Sequence, residues 1–138
     1  MQYAKFPFTS IGKTYLGTIS RPYALIEIGS KHISYWIPAE AIVDTGADYT
    51  LFPRNYADLL NVNLNIECKP DTTLGVGGSE TIYLCKNLVK IKIGQWQKIV
   101  PVGFLERNDV PLLLGRLGCL EVFRLLFNNQ ITYFDGEK

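Results

Sequence analysis

Short stretches in which apolar and polar residues alternate with a period of two dominate this chain, and that period belongs to strands rather than helices. YALIEIG, residues 23–29, alternates and ends in a Gly-Ser pair, after which HISYWIP resumes an extended pattern, so a hairpin is predicted there. IYLCKNLVKIKIG, residues 82–94, places Val89, Ile91 and Ile93 on one face and lysines on the other. These patterns predict an all-β protein.

Further strands and a few helical turns complete the predicted architecture. QKIVPVGFL, residues 97–105, is predicted as one strand, and VFRLLF, Asn128-Asn129 and QITYF as a strand, a turn and a strand. RNYADLL, residues 54–60, follows a proline that suits the first turn of a helix. One more helical turn is predicted over residues 117–120. We expect a closed or nearly closed β-barrel with one or two short helical turns.

Length and composition favour one folded domain over residues 1–138, since 47% of the chain is hydrophobic and 20% is charged. The formal net charge is +1 and no basic block is present, so nucleic acid is not an expected partner. No apolar run approaches the roughly 18 residues that span a bilayer, and the first residues lack a long apolar core. We therefore expect a soluble, cytoplasmic protein without a membrane partner.

Cysteine and histidine usage argues against several kinds of site. Cys68, Cys85 and Cys119 are odd in number, far apart in sequence and without a C-x-x-C spacing, so neither a disulfide framework nor a zinc site is expected. The single histidine, His32, has no motif around it, which favours a surface or half-buried position over catalysis. A Ser or Cys hydrolase would need such a base, and no G-x-S-x-G is present. We expect no metal and no cofactor.

The stretch AIVDTGADYTLFP, residues 41–53, ends an apolar run in a carboxylate, Asp44, and follows it at once with Thr45, Gly46 and Ala47. A buried strand commonly ends in turn residues, and Asp is one of them. Taken alone, Asp-Thr-Gly therefore indicates only a turn.

Two later stretches bear on whether Asp44 is a functional residue or only a turn residue. LGVGGSET, residues 74–81, predicts a flexible hairpin tip before a strand that begins at Ile82; it is a poor phosphate cradle because Glu80 takes the place of a third glycine and no helix follows. VPLLLGRLG, residues 110–118, is an apolar strand that breaks at Gly115 and is followed by a cation, Arg116. Each stretch has an ordinary structural explanation by itself, and only their order is specific.

In that order, an apolar DTGA, a glycine-rich hairpin and an apolar GR, the chain resembles the retropepsin-like aspartic proteases, the group that includes the retroviral proteases. The resemblance runs from about residue 22 to residue 127. It implies that IVDTGADYT is the catalytic loop, that TLGVGGSET is the flap, and that LLLGR packs beneath the loop. Two departures are Tyr49, where an acidic or small residue is often found, and a predicted hairpin at the end of the chain.

The resemblance also assigns roles to individual residues. Asp44, Thr45 and Gly46 are the implied catalytic residues, with Thr45 bonding across to a partner loop. Asp48 and Arg116 are the implied structural ion pair that ties the loop to the segment after LLLG. The implied substrate-binding residues are Ala47, Asp48, Gly75, Val76, Gly77 and Gly78.

Peptide hydrolysis without a metal or a covalent intermediate needs a base and an acid, which two carboxylates sharing one proton supply. Only one D-T/S-G occurs here, since Asp71-Thr72-Thr73 lacks the glycine and Asp135-Gly136 lacks the middle residue. The pair therefore needs a second chain, and the simplest closed arrangement is a two-fold homodimer in which Asp44 meets its own copy. The resemblance implies the same assembly, with a polypeptide substrate lying extended beneath two flaps.

Two functions from different classes remain open on the sequence. One is an aspartic endopeptidase, and the other is a catalytically silent dimer that keeps the fold and its groove as a peptide-binding or scaffolding module. The intact DTGA favours the endopeptidase, because a binding module has no need of a poised carboxylate.

Overall fold

The computed structural model of the protein describes residues 1–75 and 78–136. These residues are mostly β, as the sequence predicts. Within them the strands are β1 (Gln2–Pro7), β2 (Thr9–Thr14), β3 (Gly17–Arg21), β4 (Tyr23–Ser30), β5 (Ile37–Val43), β6 (Thr50–Phe52), β7 (Lys69–Gly75), β8 (Gly78–Cys85), β9 (Val89–Ile93), β10 (Trp96–Ile99), β11 (Val102–Leu105), β12 (Leu112–Leu114), β13 (Arg124–Asn128) and β14 (Ile131–Asp135). The helical segments are α1 (Asn55–Leu59), α2 (Leu64–Glu67) and a 3-10 turn (Leu120–Val122).

The strands form three hydrogen-bonded sheets rather than the closed barrel that the sequence predicts. The largest sheet has the order β10-β9-β4-β5-β12-β6-β11-β8-β7, so β10 and β7 are its edges and strand pairing does not close it within the described residues. The terminal segments pair with one another instead, in the order β1-β14-β13, and so do not bridge the two edges. The remaining sheet is the β2–β3 hairpin.

The core is built from the apolar faces of the large sheet. In β9 the predicted alternation is confirmed, because Val89, Ile91 and Ile93 are fully buried while the lysines between them are partly exposed. The largest fully buried side chains elsewhere are Phe52, Phe104, Phe134, Ile26, Ile28, Leu60, Ile82 and Leu114. Aromatic rings meet edge to face in this core, as Phe52 and Phe104 do at 5.4 Å between centroids.

Several predicted boundaries are wrong for identifiable reasons. Residues 97–105 form two strands, β10 and β11: the amide of Val100 still bonds to the carbonyl of Val89 in register with β9, and the break follows at Pro101, which has no amide hydrogen to donate. The strand predicted to begin at Ile82 begins four residues earlier, since β7 and β8 pair as far as Gly75 and Gly78. The last hairpin turns at residues 129–130, both with positive φ, one residue later than predicted.

The helical prediction is right for α1, whereas α2 was not predicted. The side chain of Asn63 accepts hydrogen bonds from the amides of Asn65 and Ile66, and Glu67 accepts one from the amide of Asn63. These bonds cap the first turn from both directions, but Glu67 follows Asn63 by four residues rather than the three of the usual capping box, so the sequence did not signal this helix clearly. In the described part of the chain, no helix is long and apolar enough to cross a bilayer.

The β2–β3 hairpin, which we call the N-terminal arm, is exposed along its whole first strand. Tyr15 and Leu16 at its turn are almost fully exposed. The arm pairs with no other described strand, and an isolated two-stranded hairpin has little stability of its own in water. It leads directly into Pro22, whose carbonyl accepts a hydrogen bond from the amide of Val43 at 2.9 Å. The base of the arm therefore lies next to the end of β5.

Candidate functional site

Two strands that are distant in sequence hold the Asp44 loop. β12 lies between β5, with which it is parallel, and β6, with which it is antiparallel. Val43 stands opposite Leu114 in this register, and the amide of Asp44 donates to the carbonyl of Leu114 at 3.0 Å. The backbone of Asp44 thus extends the buried sheet, whereas its side chain lies outside the sheet.

Immediately after the strand the chain makes a tight turn around the Asp44 carboxylate. The amide of Gly46 donates to Asp44 Oδ1 at 3.0 Å, and the amide of Ala47 donates to the carbonyl of Asp44 at 3.1 Å. Asp44 is half-buried, whereas Thr45 and Gly46 are exposed. The turn therefore fixes the carboxylate in place and leaves the loop open on the side that faces away from the sheet.

Gly115 allows β12 to approach the strand that follows the loop. A Cβ atom at this position would collide with the carbonyl group of Tyr49 and lie 2.9 Å from the amide nitrogen of Thr50. The amide of Gly115 donates to Thr50 Oγ1 at 3.1 Å, and Thr50 is fully buried. Thr50 is not among the residues predicted from the sequence, where its only signal is its place shortly after DTGA.

Arg116 connects the two sides of the site. Its Nη1 donates to the carbonyl of Thr45 at 2.6 Å, and its Nη2 donates to Asp48 Oδ1 at 2.6 Å. The backbone follows the same path, since the amide of Arg116 bonds to the carbonyl of Ala47 at 2.9 Å. One guanidinium therefore holds both ends of the turn. The ion pair implied by the resemblance is present, but 46% of the Arg116 side chain and 78% of the Asp48 side chain are exposed in a single chain.

Arg116→Ala is expected to loosen the loop more than it destabilises the fold. An exposed ion pair contributes at most about 1 kcal/mol, and one hydrogen bond to a carbonyl adds about 1 kcal/mol. We expect the free energy of unfolding to fall by about 1 to 2 kcal/mol in urea titrations, and the amide of Ala47 to exchange its hydrogen faster.

The matched control is Arg107→Ala, because Arg107 makes an equally close, exposed pair with Asp109. Exchange at Ala47 should not respond to this change. If Arg116→Ala leaves exchange at Ala47 as slow as in the wild type, Arg116 is an ordinary surface charge.

The hairpin of β7 and β8 is the segment expected to act as a flap. Its antiparallel register is described as far as the pair Gly75 and Gly78, and Gly78 has a φ of 114°, which favours glycine. Val76 and Gly77 lie outside the described residues. β8 pairs with β11, and β11 pairs in parallel with β6, which continues directly from the Asp44 loop. The root of the hairpin and the loop therefore belong to one sheet.

A mainly apolar cavity of about 700 Å³ lies between Tyr49, which follows the Asp44 loop, and the root of the β7–β8 hairpin, and Asp44 is not among its lining residues. Tyr49 and Leu117 contribute to its wall, and so do residues at the root of the β7–β8 hairpin. Tyr49 is the residue at which the sequence departs from the resembling family, and its side chain is only half-buried. The cavity has room for the side chain of a bound peptide.

Within the described residues, neither the histidine nor any of the three cysteines hydrogen-bonds to Asp44. His32 Nε2 contacts Glu67 Oε2, and hydrogen bonds from the Asn63 amide and from His32 lower the pKa of Glu67. Cys119 is fully buried, and this burial raises the pKa of its thiol to about 12. Cys68 and Cys85, distant in sequence, lie side by side. The β7–β8 register brings these two cysteines together, so their separation in sequence did not indicate that they are in contact.

Comparison with known proteins is consistent with this geometry. A family model described as aspartyl protease matches residues 35–117, a span that contains the Asp44 loop, the β7–β8 hairpin and β12 with Arg116. No curated protein matches the chain. The family match covers more than half of the sequence and confirms the resemblance. The chain therefore belongs to the aspartyl protease family, of the retropepsin-like type.

Proposed function

We propose that the protein is an aspartic endopeptidase whose active site is formed by two Asp44 carboxylates, one from each chain of a homodimer. The observation that carries the proposal is the way in which the fold positions Asp44. Its backbone is bonded to the buried strand β12, its carboxylate is oriented by the Gly46 amide, and the loop around it is open. Membership of the aspartyl protease family supports peptide hydrolysis as the reaction.

In this mechanism a water molecule lies between the two carboxyl groups. Like charges about 3 Å apart cannot both be ionised, so the pair holds one shared proton. The ionised carboxylate takes a proton from the water, and the protonated one donates to the carbonyl oxygen of the substrate. Collapse of the tetrahedral intermediate then passes a proton to the leaving amine nitrogen. Thr45 bonds across to the partner loop in this proposal, and the small Gly46 gives the substrate backbone close access.

The need for a second chain follows from the count of carboxylates, since the sequence contains a single D-T/S-G. The N-terminal arm supports the same assembly. Pro22, directly after the arm, accepts a hydrogen bond from the amide of Val43, one residue before Asp44, and the exposed tip of the arm carries Tyr15 and Leu16. A two-fold axis at Asp44 therefore places each arm beside the junction of the two chains, where its apolar tip can be buried against the partner.

The proposed substrate is an extended polypeptide. Its backbone pairs with Ala47 and Asp48 on the loop and with the hairpin tip, where the assigned residues are Gly75, Val76, Gly77 and Gly78. Closure of the hairpin excludes water from the pair of carboxylates. The cavity lined by Tyr49 and Leu117 suits an apolar side chain of that substrate. The whole chain acts as one domain in this proposal, and no cofactor takes part.

The test of the proposal is cleavage of an unfolded protein across a dilution series, with and without an aspartic-protease transition-state inhibitor. We expect cleavage that the inhibitor blocks, and activity per chain that falls on dilution as dimers dissociate. Undiminished activity from a strictly monomeric protein would contradict the shared site. Binding of peptides without any cleavage would favour the silent binding module.

The same dilution series also tests the arm. Leu16→Asp places a charge at its exposed tip and should move the loss of activity to higher protein concentration without altering the folded chain. Ile66→Asp is the matched control, because Ile66 on α2 is also a highly exposed apolar residue. If the wild type and Leu16→Asp have the same dilution curve, the arm does not take part in the dimer interface.

A further inference from the structure

Two cysteines face each other at the open end of the β7–β8 hairpin. Cys68 immediately precedes β7, and Cys85 is the last residue of β8. The last ladder pair is Lys69 with Leu84, so Cys68 and Cys85 are opposite one another one position further along. Their Sγ atoms are 2.7 Å apart, whereas a disulfide bond measures about 2.0 Å. A small movement of either side chain would bring the two sulfur atoms to bonding distance.

The two thiols differ in their access to solvent. Cys68 is half-buried, whereas Cys85 is 1% exposed. An oxidant from solution therefore meets Cys68 first, with Cys85 behind it as the second thiol. Burial raises the pKa of both thiols, and the nearby carboxylate of Glu67 acts in the same direction. Both groups therefore carry little thiolate at neutral pH, which makes their oxidation slow.

We propose that Cys68 and Cys85 are a site of reversible oxidation, at which a peroxide converts the two thiols into an intrachain disulfide. The Cys68 thiolate attacks one peroxide oxygen, the O–O bond breaks, and Cys68 becomes a sulfenic acid. Cys85 then attacks the sulfur of Cys68, forming the S–S bond and releasing water. With hydrogen peroxide the balance is two thiols and one peroxide giving one disulfide and two waters. A dithiol reductant reverses the change.

The position of the pair determines what the bond would do. β7 is an edge of the large sheet and pairs only with β8, so its outer side has no described strand to hold it. A bond between residues 17 apart in sequence closes a loop that contains the entire hairpin. Closing that loop restricts the unfolded chain and prevents the open end of the hairpin from fraying. Neither effect depends on the proposed endopeptidase function.

The experiment compares the protein before and after treatment with hydrogen peroxide. We expect a loss of mass equal to two hydrogen atoms, a peptide map that links Cys68 to Cys85, and a Tm higher by about 10 °C. Reduction with a dithiol should restore the original mass and Tm. Cys119 serves as an internal control, because it is fully buried elsewhere and should stay a free thiol.

Two variants separate the disulfide from other effects of peroxide. Cys68→Ser alters a half-buried position and Cys85→Ala a buried one, and each should fold and then show neither the mass loss nor the rise in Tm. The proposal is overturned if the wild type gains oxygen atoms without forming a link, if links form only between chains, or if Cys68→Ser shows the same rise in Tm.

Discussion

Asp44→Asn is expected to abolish peptide cleavage while leaving the fold and the dimer intact. Asn is nearly the same size as Asp, and its side-chain oxygen can still accept the hydrogen bond that the Gly46 amide gives to Oδ1. It cannot take a proton from water and return it. Loss of a general acid and base lowers a rate by about 100 to 10,000-fold, and we expect cleavage to fall within that range.

Binding and assembly should respond differently from cleavage. Bringing two Asp44 carboxylates together requires the pair to take up a proton, and Asn removes that requirement, so the dimer should be as stable as before or slightly more stable. In the proposed complex peptides pair with the backbone of the loop and the hairpin, which the substitution leaves unchanged. The variant should therefore retain substrate that the wild type consumes, as measured by co-elution of variant and peptide in gel filtration.

Asp71→Asn is the matched control, since Asp71 is followed by Thr but not by Gly and lies exposed on β7. This change should leave cleavage at the wild-type rate. If the wild type and Asp44→Asn bind the same peptides equally and neither cleaves them, the endopeptidase proposal fails and the binding module takes its place.

The Asp44 loop was predictable because its signal is local. An apolar strand, a carboxylate and the three small residues Thr45, Gly46 and Ala47 occupy consecutive positions, and the structure places them at the end of β5 in a tight turn. Arg116 was predictable for a related reason, as it directly follows the glycine that ends an apolar strand. In both cases the residue types could be read from neighbours in sequence, although the hydrogen bonds that hold them are long-range, from the Asp44 amide to Leu114 and from Arg116 to the loop.

The remaining features depend on which distant strands pair. β1 was not predicted as a strand, and it is held by β14 from the other end of the chain. The break in residues 97–105 occurs where the chain leaves β9 and joins β6 and β8. The contact between Cys68 and Cys85 follows from the β7–β8 register. A single sequence carries no direct record of such pairings, because period-two patterns determine which face is buried but not which strand is adjacent.

Gly115→Ala is expected to destabilise the fold more than Arg116→Ala does, although the two residues are adjacent. The added methyl group would meet the backbone of Tyr49 and Thr50, which cannot rotate away as a flexible side chain could. β12 would have to move from β6, lengthening the bond from the Gly115 amide to Thr50 Oγ1. Overpacking of this kind costs about 3 kcal/mol, which we expect as the fall in the free energy of unfolding in urea titrations.

Gly29→Ala is the control for this change, because it adds the same methyl group to another buried glycine. A Cβ atom there would meet Trp36 at 3.5 Å, an ordinary contact, and the φ of Gly29 does not require glycine. Its unfolding free energy should change by less than about 1 kcal/mol. Since Leu114 and Arg116 flank Gly115 and both hold the Asp44 loop, Gly115→Ala should also lower cleavage in the fraction that remains folded. Equal stability of the two glycine variants would mean that β12 does not approach β6 as closely as the structure indicates.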